Sequence, residues 1–588
     1  MRILFTLTLV MVAGCRGPAV PEVVDASWPP TAPVSSAVPT SWPHSLDAPA
    51  ATGEHGMVVT DAPLATEVGI EVLREGGSAV DAAVAVAFAL AVVWPGAGNI
   101  GGGGFIVLHV DGRTASLDFR EEAPAAAHRD MFLNAQGEPT DKSETGHLAA
   151  GVPGSVAGLW ELHQKFGTKP WTDLLEPAIA LAEQGFLIES DVSADVAMDA
   201  GRLAQFPGSA SLFLPGGKPL VAGTRWANPD LARTLALIAR NGRDGFYKAA
   251  TADLLVQEMR QGAGIVTLAD LANYEPKWRE PIIFTYRGYR IACMPPPSSG
   301  GVTLAMIAQQ LEQYDLRKLG WHSPSSIHLQ AEAMRRAYSI RNNLLGDPDF
   351  VGMDLGTLCS KDFARQLEES ISPDSATPSA QVSGGTGSQT GGKHTTHFSI
   401  VDRFGNAVAL TTTLNSGFGS AVTVRGAGFI LNNEMDDFTS KPGTPNQFGL
   451  VQSTANAIAP HKRMLSSMAP TIIFGKNGKP VLITGASGGS YITTTVFQLL
   501  SAAIDYGLDV GVAMSAPRMH HQHLPDELAL EKDGFDRSTI QALERLGHRL
   551  TFFEVPTAGW TIAATIDWRK GCWHGMADPR IHGSSRGY

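Results

Sequence analysis

The stretch that decides the fold is Thr395-Thr-His-Phe-Ser-Ile-Val-Asp402, followed by Gly405-Asn-Ala-Val-Ala-Leu-Thr-Thr-Thr413. Apolar residues flank Asp402-Arg-Phe-Gly-Asn406, which has the composition of a turn, so the pattern predicts a β-hairpin. The tract before it, from about Pro373 to Lys393, is rich in Ser, Thr and Gly and has few apolar groups to offset the entropy of ordering. We therefore expect a mobile, exposed segment that ends at His394, directly before a threonine that opens a strand.

A threonine in this position can act as a nucleophile once the chain is cut before it. Its hydroxyl is weakly nucleophilic, but the freed α-amine has a pKa of roughly 7.7–8.0 and can accept the hydroxyl proton. One residue then supplies both nucleophile and base, and an exposed loop is what the cut requires. A Ser/Thr-rich loop that enters a strand is also common, so Thr395 taken alone leaves both interpretations open.

The composition excludes several classes of function. The 588 residues carry 45 Lys and Arg against 57 Asp and Glu, a formal net charge of −12. The chain lacks the basic cluster that a nucleic-acid partner requires. The cysteines are too few and too scattered for a disulfide scaffold or a cysteine-rich zinc site; they are Cys15, Cys293, Cys359 and Cys572.

The first fifteen residues predict an export signal. The apolar run from Ile3 to Val12 is too short to span a bilayer, which takes about 20 residues, and it closes on Val12-Ala13-Gly14-Cys15. That ending resembles a bacterial lipobox, in which the cysteine is lipidated and becomes the N-terminus. An ordinary cleaved signal followed by a free thiol is the alternative. Prolines recur through residues 16–50, which favours a stiff tether.

These features predict a protein of the bacterial cell envelope, lipid-anchored on the periplasmic side or exported. We expect residues 1–14 to be the signal peptide and residues 15–50 to be the lipidated cysteine and tether. Contact with the membrane would be through the lipid alone, because no other segment has the pattern of a membrane span. The choice between the inner and the outer membrane stays open.

Three further patterns, two before Thr395 and one after it, predict local structure and not a ligand site. Ser78-Ala-Val-Asp81 forms a capping box for a buried helix over Ala79–Val93. The glycine run Gly101–Gly104 precedes a strand-like segment and lacks the Gly-Lys-Ser/Thr of a phosphate loop, so a tight backbone turn is favoured. The run His520–His523 has no partner at a metal-ligand spacing, so a polar helix end or loop is favoured. We expect neither a metal nor a cofactor.

Motifs on both sides of Thr395 resemble those of the γ-glutamyltranspeptidases. The hairpin sequence, continued to Asn415, is similar to the start of the small subunit of that family. The other similar stretches are Asp61-Ala-Pro-Leu-Ala-Thr66, Gly98-Asn-Ile-Gly101-Gly-Gly-Gly104, Asp118-Phe-Arg120-Glu121, Leu431-Asn-Asn-Glu434-Met-Asp-Asp437-Phe438, Leu465-Ser-Ser467-Met-Ala-Pro-Thr471 and Thr484-Gly-Ala-Ser-Gly488-Gly489-Ser490. The resemblance runs from about Gly56 to Gly587.

The resemblance implies a fold and a maturation. The fold is an α+β, four-layer αββα sandwich of the N-terminal-nucleophile hydrolases, made by a precursor that cuts itself between His394 and Thr395. Residues 51–394 would then form the large subunit, which ends in a flexible linker, and residues 395–588 the small catalytic subunit. The substrates implied are glutathione and other γ-glutamyl compounds, with water, an amino acid or a dipeptide as acyl acceptor.

The resemblance also implies a role for each site residue. Thr395 is the nucleophile, Thr413 orients its hydroxyl, and the backbone N–H groups of Gly488 and Gly489 bind the oxyanion. The donor's α-carboxylate would bind Arg120, a bidentate partner for carboxylates, together with Ser466 and Ser467. Its α-ammonium would bind Asn415, Glu434 and Asp437.

A lid over the donor pocket is implied by Lys441-Pro-Gly-Thr-Pro-Asn-Gln-Phe448-Gly-Leu450. Some bacterial members have a tyrosine at the position of Phe448, with a hydroxyl that bonds the equivalent of Asn415. We therefore expect a lid held by packing without that bond. Two alternatives remain: a glutaryl or cephalosporin acylase of the same fold, which would not need the α-amine, and an unprocessed lipoprotein that serves as a surface binding module.

Overall fold

Two seven-stranded sheets form the centre of the protein, described here by a computed structural model that covers residues 28–34, 38–382, 395–554 and 561–588. The strands in chain order are β1 (Ala51–Gly53), β2 (Met57–Thr60), β3 (Gly103–Val110), β4 (Arg113–Phe119), β5 (Phe186–Leu187), β6 (Arg225–Trp226), β7 (Lys277–Arg279), β8 (Ile282–Tyr286), β9 (Tyr289–Cys293), β10 (Thr395–Val401), β11 (Ala407–Thr413), β12 (Thr471–Phe474), β13 (Pro480–Thr484), β14 (Met519–His520), β15 (Leu528–Glu531), β16 (Leu550–Phe553), β17 (Ala564–Arg569), β18 (Cys572–Ala577) and β19 (Ser584–Gly587).

Helices surround the two sheets. They are α1 (Pro63–Arg74), α2 (Ala79–Val93), α3 (Ser155–Phe166), α4 (Trp171–Gln184), α5 (Ser190–Met198), α6 (Ala200–Leu203), α7 (Pro207–Phe213), α8 (Pro229–Asn241), α9 (Asp244–Tyr247), α10 (Ala249–Gln261), α11 (Leu268–Asn273), α12 (Gly300–Leu311), α13 (Leu316–Leu319), α14 (Pro324–Leu344), α15 (Leu355–Leu358), α16 (Lys361–Glu368), α17 (Ser379–Val382), α18 (Tyr491–Ile504), α19 (Val510–Ser515) and α20 (Arg537–Arg545). In the described residues no helix has the length and apolar character needed to cross a membrane.

The predicted hairpin lies at the centre of the first sheet. The order of that sheet is β19-β2-β10-β11-β3-β4-β7, and the second sheet has the order β1-β18-β17-β13-β12-β9-β8. All neighbouring strands within these two sheets are antiparallel. Each sheet combines strands from before residue 394 with strands from after it, so neither predicted subunit contains a complete sheet.

Alternation along the strands divides the core into layers. Phe398 and Ile400 of β10 belong to a core cluster shared with α1, α2, α3 and α4. Val401 of β10 and Ala409 of β11 belong to a second cluster, which includes residues of the second sheet and of α12, α14 and α18. Successive side chains point to opposite faces of a strand, so β10 is buried against helices on one face and against the second sheet on the other. The predicted four-layer αββα sandwich is confirmed.

Two local predictions for the part of the chain before Thr395, the capping box and the tight glycine turn, agree with the structure. The Ser78 Oγ accepts the backbone N–H of Asp81 over 3.2 Å, and the Asp81 Oδ2 accepts the N–H of Ser78 over 2.8 Å, so the capping box starts α2. The glycine run enters β3 and lies against the hairpin: a Cβ on Gly102 would come within 2.1 Å of the Thr413 carbonyl oxygen. Glycine is needed here because the two backbones approach closely.

Within the predicted tether, residues 15–50, the described residues contact the body of the protein. The Trp28 indole stacks on Tyr289 at 5.3 Å and donates to the Trp568 carbonyl oxygen over 3.0 Å. Further along, the Trp42 indole donates to the Ser515 carbonyl oxygen over 2.8 Å. Two tryptophans therefore hold described parts of a stretch whose prolines predict a stiff tether. Cys15 lies outside the described residues.

The tract before Thr395 is ordered over its first ten residues, where we expected mobility from Pro373 onward. Ser379 opens the short helix α17 and is fully buried. Its Oγ accepts from Arg335 over 2.6 Å, and its backbone N–H donates to Asp526 over 2.8 Å. Polar side chains of α14 and of the later part of the chain thus hold this stretch. The rest of the tract, with His394, lies outside the described residues.

Candidate active site

The hydroxyl of Thr395 lies at the beginning of the central hairpin strand β10. The strand register pairs Thr395 directly with Thr413, the last residue of β11. The Thr395 Oγ1 donates to the Thr413 Oγ1 over 3.3 Å, and the Thr413 Oγ1 accepts the backbone N–H of Asn415 over 2.8 Å. The hairpin therefore brings together the two threonines that the sequence analysis paired.

Both threonines line a pocket that contains most of the predicted site residues. The predicted residues that line it with them are Arg120, Asn415, Asp437, Phe448, Ser466, Ser467 and Gly489. The lining residues to which the sequence analysis gave no individual role are Arg341, Leu450, Leu465, Met468, Ser490 and Ile492. Glu434 adjoins the pocket through Arg120, and Gly488 precedes Gly489. The fold thus gathers side chains from both sides of the 394–395 bond around one threonine hydroxyl.

One wall of the pocket is a guanidinium surrounded by carboxylates. Arg120 is 1% exposed and follows β4 directly. It pairs with Glu434 Oε2 at 2.5 Å, with Asp437, and with Glu121 Oε2 at 3.6 Å. Glu434 and Asp437 come from one short 3-10 helix, Glu434–Asp437, which places both on the same side of Arg120. With all groups ionised, three negative charges surround one positive charge, so the site has room for another cation.

Burial and charge act against each other in this cluster. Burial alone would lower the pKa of Arg120. The three carboxylates have the larger effect, so the pKa of Arg120 is raised above its usual value. Burial raises the pKa of Glu121 to about 8 and holds the pKa of Glu434 well above its usual range, although Arg120 lowers both. Burial is the main cause, and repulsion between the neighbouring carboxylates adds to it, so the cluster favours holding a proton that an incoming ammonium group could replace.

The pocket lining also carries the predicted serine pair. The Ser466 Oγ accepts the backbone N–H of Met468 over 3.1 Å. The Ser467 Oγ accepts from the Arg341 Nη2 over 3.2 Å. Arg341 lies near the end of α14, and it brings a second guanidinium to the pocket.

The glycine pair leads into helix α18. Gly488 and Gly489 have φ values of 114° and 56°, a region that favours glycine. Their carbonyl oxygens accept the N–H groups of Tyr491 and Ile492, over 3.0 and 3.2 Å. Backbone N–H groups at the start of a helix carry partial positive charge, so this is a favourable place for an oxyanion.

The lid, residues 441–450, closes over the pocket by packing and by hydrogen bonds. A Cβ on Gly489 would come within 2.4 Å of the Phe448 ring, so the ring lies directly on the glycine. Gln522 donates to the Phe448 carbonyl oxygen over 3.1 Å, and the Ser416 Oγ donates to Gln447 over 2.6 Å. The lid is therefore tied at its backbone and at Gln447, in addition to the packing that the sequence analysis expected.

Behind the nucleophile, buried polar contacts fix the strand. The Thr396 Oγ1 donates to Asp61 Oδ2 over 2.7 Å, and burial raises the pKa of Asp61 to about 7. The ring nitrogens of His397 contact Thr411 Oγ1 at 2.8 Å and Ser399 Oγ at 3.1 Å. Burial lowers the pKa of His397 to about 3, so the ring is neutral at physiological pH.

Sequence reasoning missed Arg341 and left Glu121 without a role. Arg341 follows no recognisable motif and lies in a regular helix, so no local signal marks it. Glu121 follows Arg120 in the motif Asp118-Phe-Arg120-Glu121, and its position beside the predicted carboxylate-binding arginine was the signal available.

The histidines provide no convincing metal centre within the described residues. His520 uses both ring nitrogens, toward Thr494 Oγ1 at 2.9 Å and Gln522 Oε1 at 2.9 Å, and it is buried, whereas we expected a polar helix end or loop. His328, Glu332 and His548 bring ligand atoms within 4.8 Å of one another. Glu332 is already paired with Arg335 and Arg336, and two adjacent guanidiniums disfavour a dication there.

The family profile described as gamma-glutamyltranspeptidase matches residues 65–588. The chain belongs to the γ-glutamyltranspeptidase family. A relative from Escherichia coli (strain K12), named glutathione hydrolase proenzyme, is 44% identical over 558 residues, which is 94% of this chain and 94% of the relative.

Solved structures agree with that assignment. A γ-glutamyltranspeptidase from Helicobacter pylori is 45% identical, with a TM-score of 0.54 over 54% of this chain and 93% of that chain. A cephalosporin acylase from Bacillus halodurans is 26% identical, with a TM-score of 0.81 over 94% of this chain and 99% of that chain. The fold is thus shared with acylases as well, and the donor pocket must decide between the two activities.

Proposed function

We propose that the protein is a γ-glutamyltranspeptidase and glutathione hydrolase that matures by cleavage between His394 and Thr395. The Thr395 hydroxyl would first attack the carbonyl carbon of His394, which moves that acyl group from the α-amine to Oγ1. Water would then hydrolyse the resulting ester, which releases the upstream chain as a carboxylate and frees both the α-amine and the hydroxyl of Thr395. The observation that carries the proposal is the Thr395–Thr413 hydroxyl pair, 3.3 Å apart, in a pocket with a carboxylate cluster. The products would be a large subunit, residues 51–394 with the segment before it, and a small subunit, residues 395–588.

In turnover, the freed α-amine would take the proton of Thr395 while the Oγ1 attacks the γ-amide of glutathione or a related compound. The negative charge on the tetrahedral oxygen would be bound by the N–H groups of Gly488 and Gly489. Collapse would form a γ-glutamyl ester on Thr395 and release the amine, which is cysteinylglycine for glutathione. Water, an amino acid or a dipeptide would then take the acyl group, which gives two-step ping-pong kinetics.

Recognition of the donor would use the two walls of the pocket. The α-ammonium would bind Asn415, Glu434 and Asp437, where buried carboxyl groups outnumber the one guanidinium that they pair with. The α-carboxylate would bind Ser466 and Ser467, with Arg120 as its cationic partner. The excess of carboxyl groups over cations is the observation that favours a donor with an α-amine over a glutaryl group.

The experiment compares the release of 4-nitroaniline from γ-glutamyl and glutaryl 4-nitroanilides, which differ only in the α-amine. A strong preference for the γ-glutamyl compound supports the proposal, since two carboxylates would lose their counter-ion with the glutaryl compound. Equal or reversed rates would favour the acylase. A single uncut chain without activity would favour the third possibility, a surface binding module.

We also propose that the protein is held at the bacterial envelope by a lipid on Cys15. The support is the sequence Val12-Ala13-Gly14-Cys15 after an apolar run. Intact mass measurement of the detergent-extracted protein, beside a Cys15→Ser variant, tests this. A wild-type mass without a diacylglyceryl addition would reject the anchor.

A further inference from the structure

The guanidinium of Arg341 is a buried cation at the pocket wall without an ionic partner in the described part of the chain. Its side chain is 1% exposed, and it donates only to neutral oxygens. These are Ser299 Oγ at 3.2 Å, Asn342 Oδ1 at 3.0 Å, Gln452 Oε1 at 2.9 Å and Ser467 Oγ at 3.2 Å. A buried charge is costly when no opposite charge pairs with it, so a bound anion would stabilise the Arg341 guanidinium.

Arg341 and Arg120 differ in whether a carboxylate pairs with the guanidinium. Arg120 pairs with Glu434, Asp437 and Glu121, so its positive charge is already compensated before any donor arrives. Burial lowers the pKa of Arg341 to about 10, which leaves the guanidinium protonated at neutral pH. Asp437 also attracts Arg341 electrostatically, but it forms no ion pair with Arg341 and is already paired with Arg120. The pocket thus has a carboxylate cluster at Arg120 and a cation without an ion pair at Arg341, an arrangement that matches the ammonium and carboxylate of one α-amino acid.

The contact with Ser467 shows how the charge reaches the pocket. An arginine has only donors, so the Ser467 oxygen must accept from the Arg341 Nη2. The hydroxyl hydrogen of Ser467 must then point away from Arg341, where it can be donated to a ligand. A serine whose oxygen is bonded to a cation is also a stronger donor, because the two hydrogen bonds polarise each other.

We propose that Arg341 is a positioning residue that selects donors with a free α-carboxylate, acting through the hydroxyl of Ser467 and through its unpaired charge. This inference rests on the proposed function, because it assigns a further residue to the same donor site. Arg341 touches none of the reacting atoms, so its loss should weaken donor binding far more than it slows the chemical step.

The test compares two competitive ligands, L-glutamate and 4-aminobutyrate, which differ only in the α-carboxylate. Their inhibition constants are measured against hydrolysis of γ-glutamyl 4-nitroanilide for the wild type and Arg341→Gln. We expect Arg341→Gln to raise the inhibition constant of L-glutamate by about 10–100-fold, which is the usual contribution of a charge-assisted contact. The inhibition constant of 4-aminobutyrate should rise by less than about threefold. An equal loss for both ligands would overturn the proposal.

Two further variants separate this role from a structural one. Arg336→Gln is the matched control, since Arg336 is a buried arginine of the same helix that pairs with Glu332 away from the pocket. It should lower Tm without changing the ratio of the two inhibition constants. Arg341→Lys should keep part of the ratio because it keeps the charge, and a ratio as low as that of Arg341→Gln would contradict the charge argument. If Arg341→Gln does not mature, the comparison is made with Arg341→Lys and Ser467→Ala, and an unchanged ratio in both would overturn the proposal.

The outcome also distinguishes this inference from the proposed function. A wild type that does not hydrolyse γ-glutamyl 4-nitroanilide would show that the proposed function itself is wrong. Wild-type hydrolysis combined with an unchanged ligand ratio in Arg341→Gln would reject the role of Arg341 alone.

Discussion

Thr395 and Thr413 are directly opposed across the β10–β11 hairpin, and their hydroxyl oxygens are 3.3 Å apart. The register of the hairpin sets this pairing, so the orientation of the nucleophile depends on backbone that is buried on both faces. Thr413→Val should remove the hydroxyl contact and keep the shape. We expect kcat to fall by about 10²-fold, a loss typical of one oriented polar contact, with Tm within a few degrees of the wild type. A kcat within threefold of the wild type would contradict a role in orientation.

Replacing the nucleophile should abolish both maturation and turnover. Thr395→Ala lacks the hydroxyl that would attack the preceding carbonyl, so denaturing electrophoresis should show one uncut chain without activity. Thr395→Ser is the matched control, because it keeps a hydroxyl and an α-amine and should still be cut, more slowly. A cut and active Thr395→Ala protein would disprove the assignment of the nucleophile.

Asp437→Asn should remove discrimination for the α-amine. The variant keeps the shape of Asp437 but loses one of the charges that pair with Arg120. We expect kcat/KM for γ-glutamyl 4-nitroanilide to fall by about 10²–10³-fold, the cost of breaking a buried charge-assisted contact. The glutaryl compound should change little, and parallel losses for both compounds would show that the effect is structural.

The contact between the lid and the glycine pair predicts a coupled double variant. Gly489→Ala places a Cβ 2.4 Å from the Phe448 ring, at a φ of 56° that already disfavours alanine. We expect a loss of about 1–3 kcal/mol in stability together with most of the activity. Adding Phe448→Ala should recover part of the stability by removing the overlap. Strictly additive effects on Tm would contradict direct packing.

Asp61 predicts a pH dependence of stability. Burial raises its pKa from 3.8 to about 7, so the folded protein retains this proton up to a higher pH than the unfolded chain. The stabilisation is fully present below about pH 4 and is lost as the pH rises through 7. Asp61→Asn keeps an acceptor for Thr396 and should raise Tm at pH 8 relative to the wild type. The gain in the free energy of unfolding at pH 8 should be at most about 4 kcal/mol, with little change at pH 4.

The control for Asp61→Asn is Asp130→Asn, at a side chain that is 69% exposed. It should change Tm by the same small amount at both pH values. If the difference in Tm between Asp61→Asn and the wild type is the same at pH 4 and pH 8, protonation of Asp61 does not stabilise the folded protein.

The sequence predicted what depends on local patterns. The hairpin, the capped helix α2 and the glycine approach all follow from neighbouring residues, and the motifs located most of the pocket. Arg341 could not be found in this way because its partner Ser467 is 126 residues later in the chain, and only the packing of α14 brings the two together. The contacts of the Pro-rich segment could not be predicted for a different reason: prolines dominate its composition, but Trp28 and Trp42 make the contacts with the body.

The order of strands in the two sheets has a consequence for the fate of the protein after maturation. On the proposed cut, β10 and β11 of one polypeptide remain hydrogen-bonded to β2 and β3 of the other, and β12 remains bonded to β9. Separating the polypeptides would mean tearing both sheets apart, so partners cannot be exchanged between molecules in the folded state. Maturation of this kind is irreversible without loss of the assembly, and a small subunit synthesised alone would have no template on which to complete its sheets.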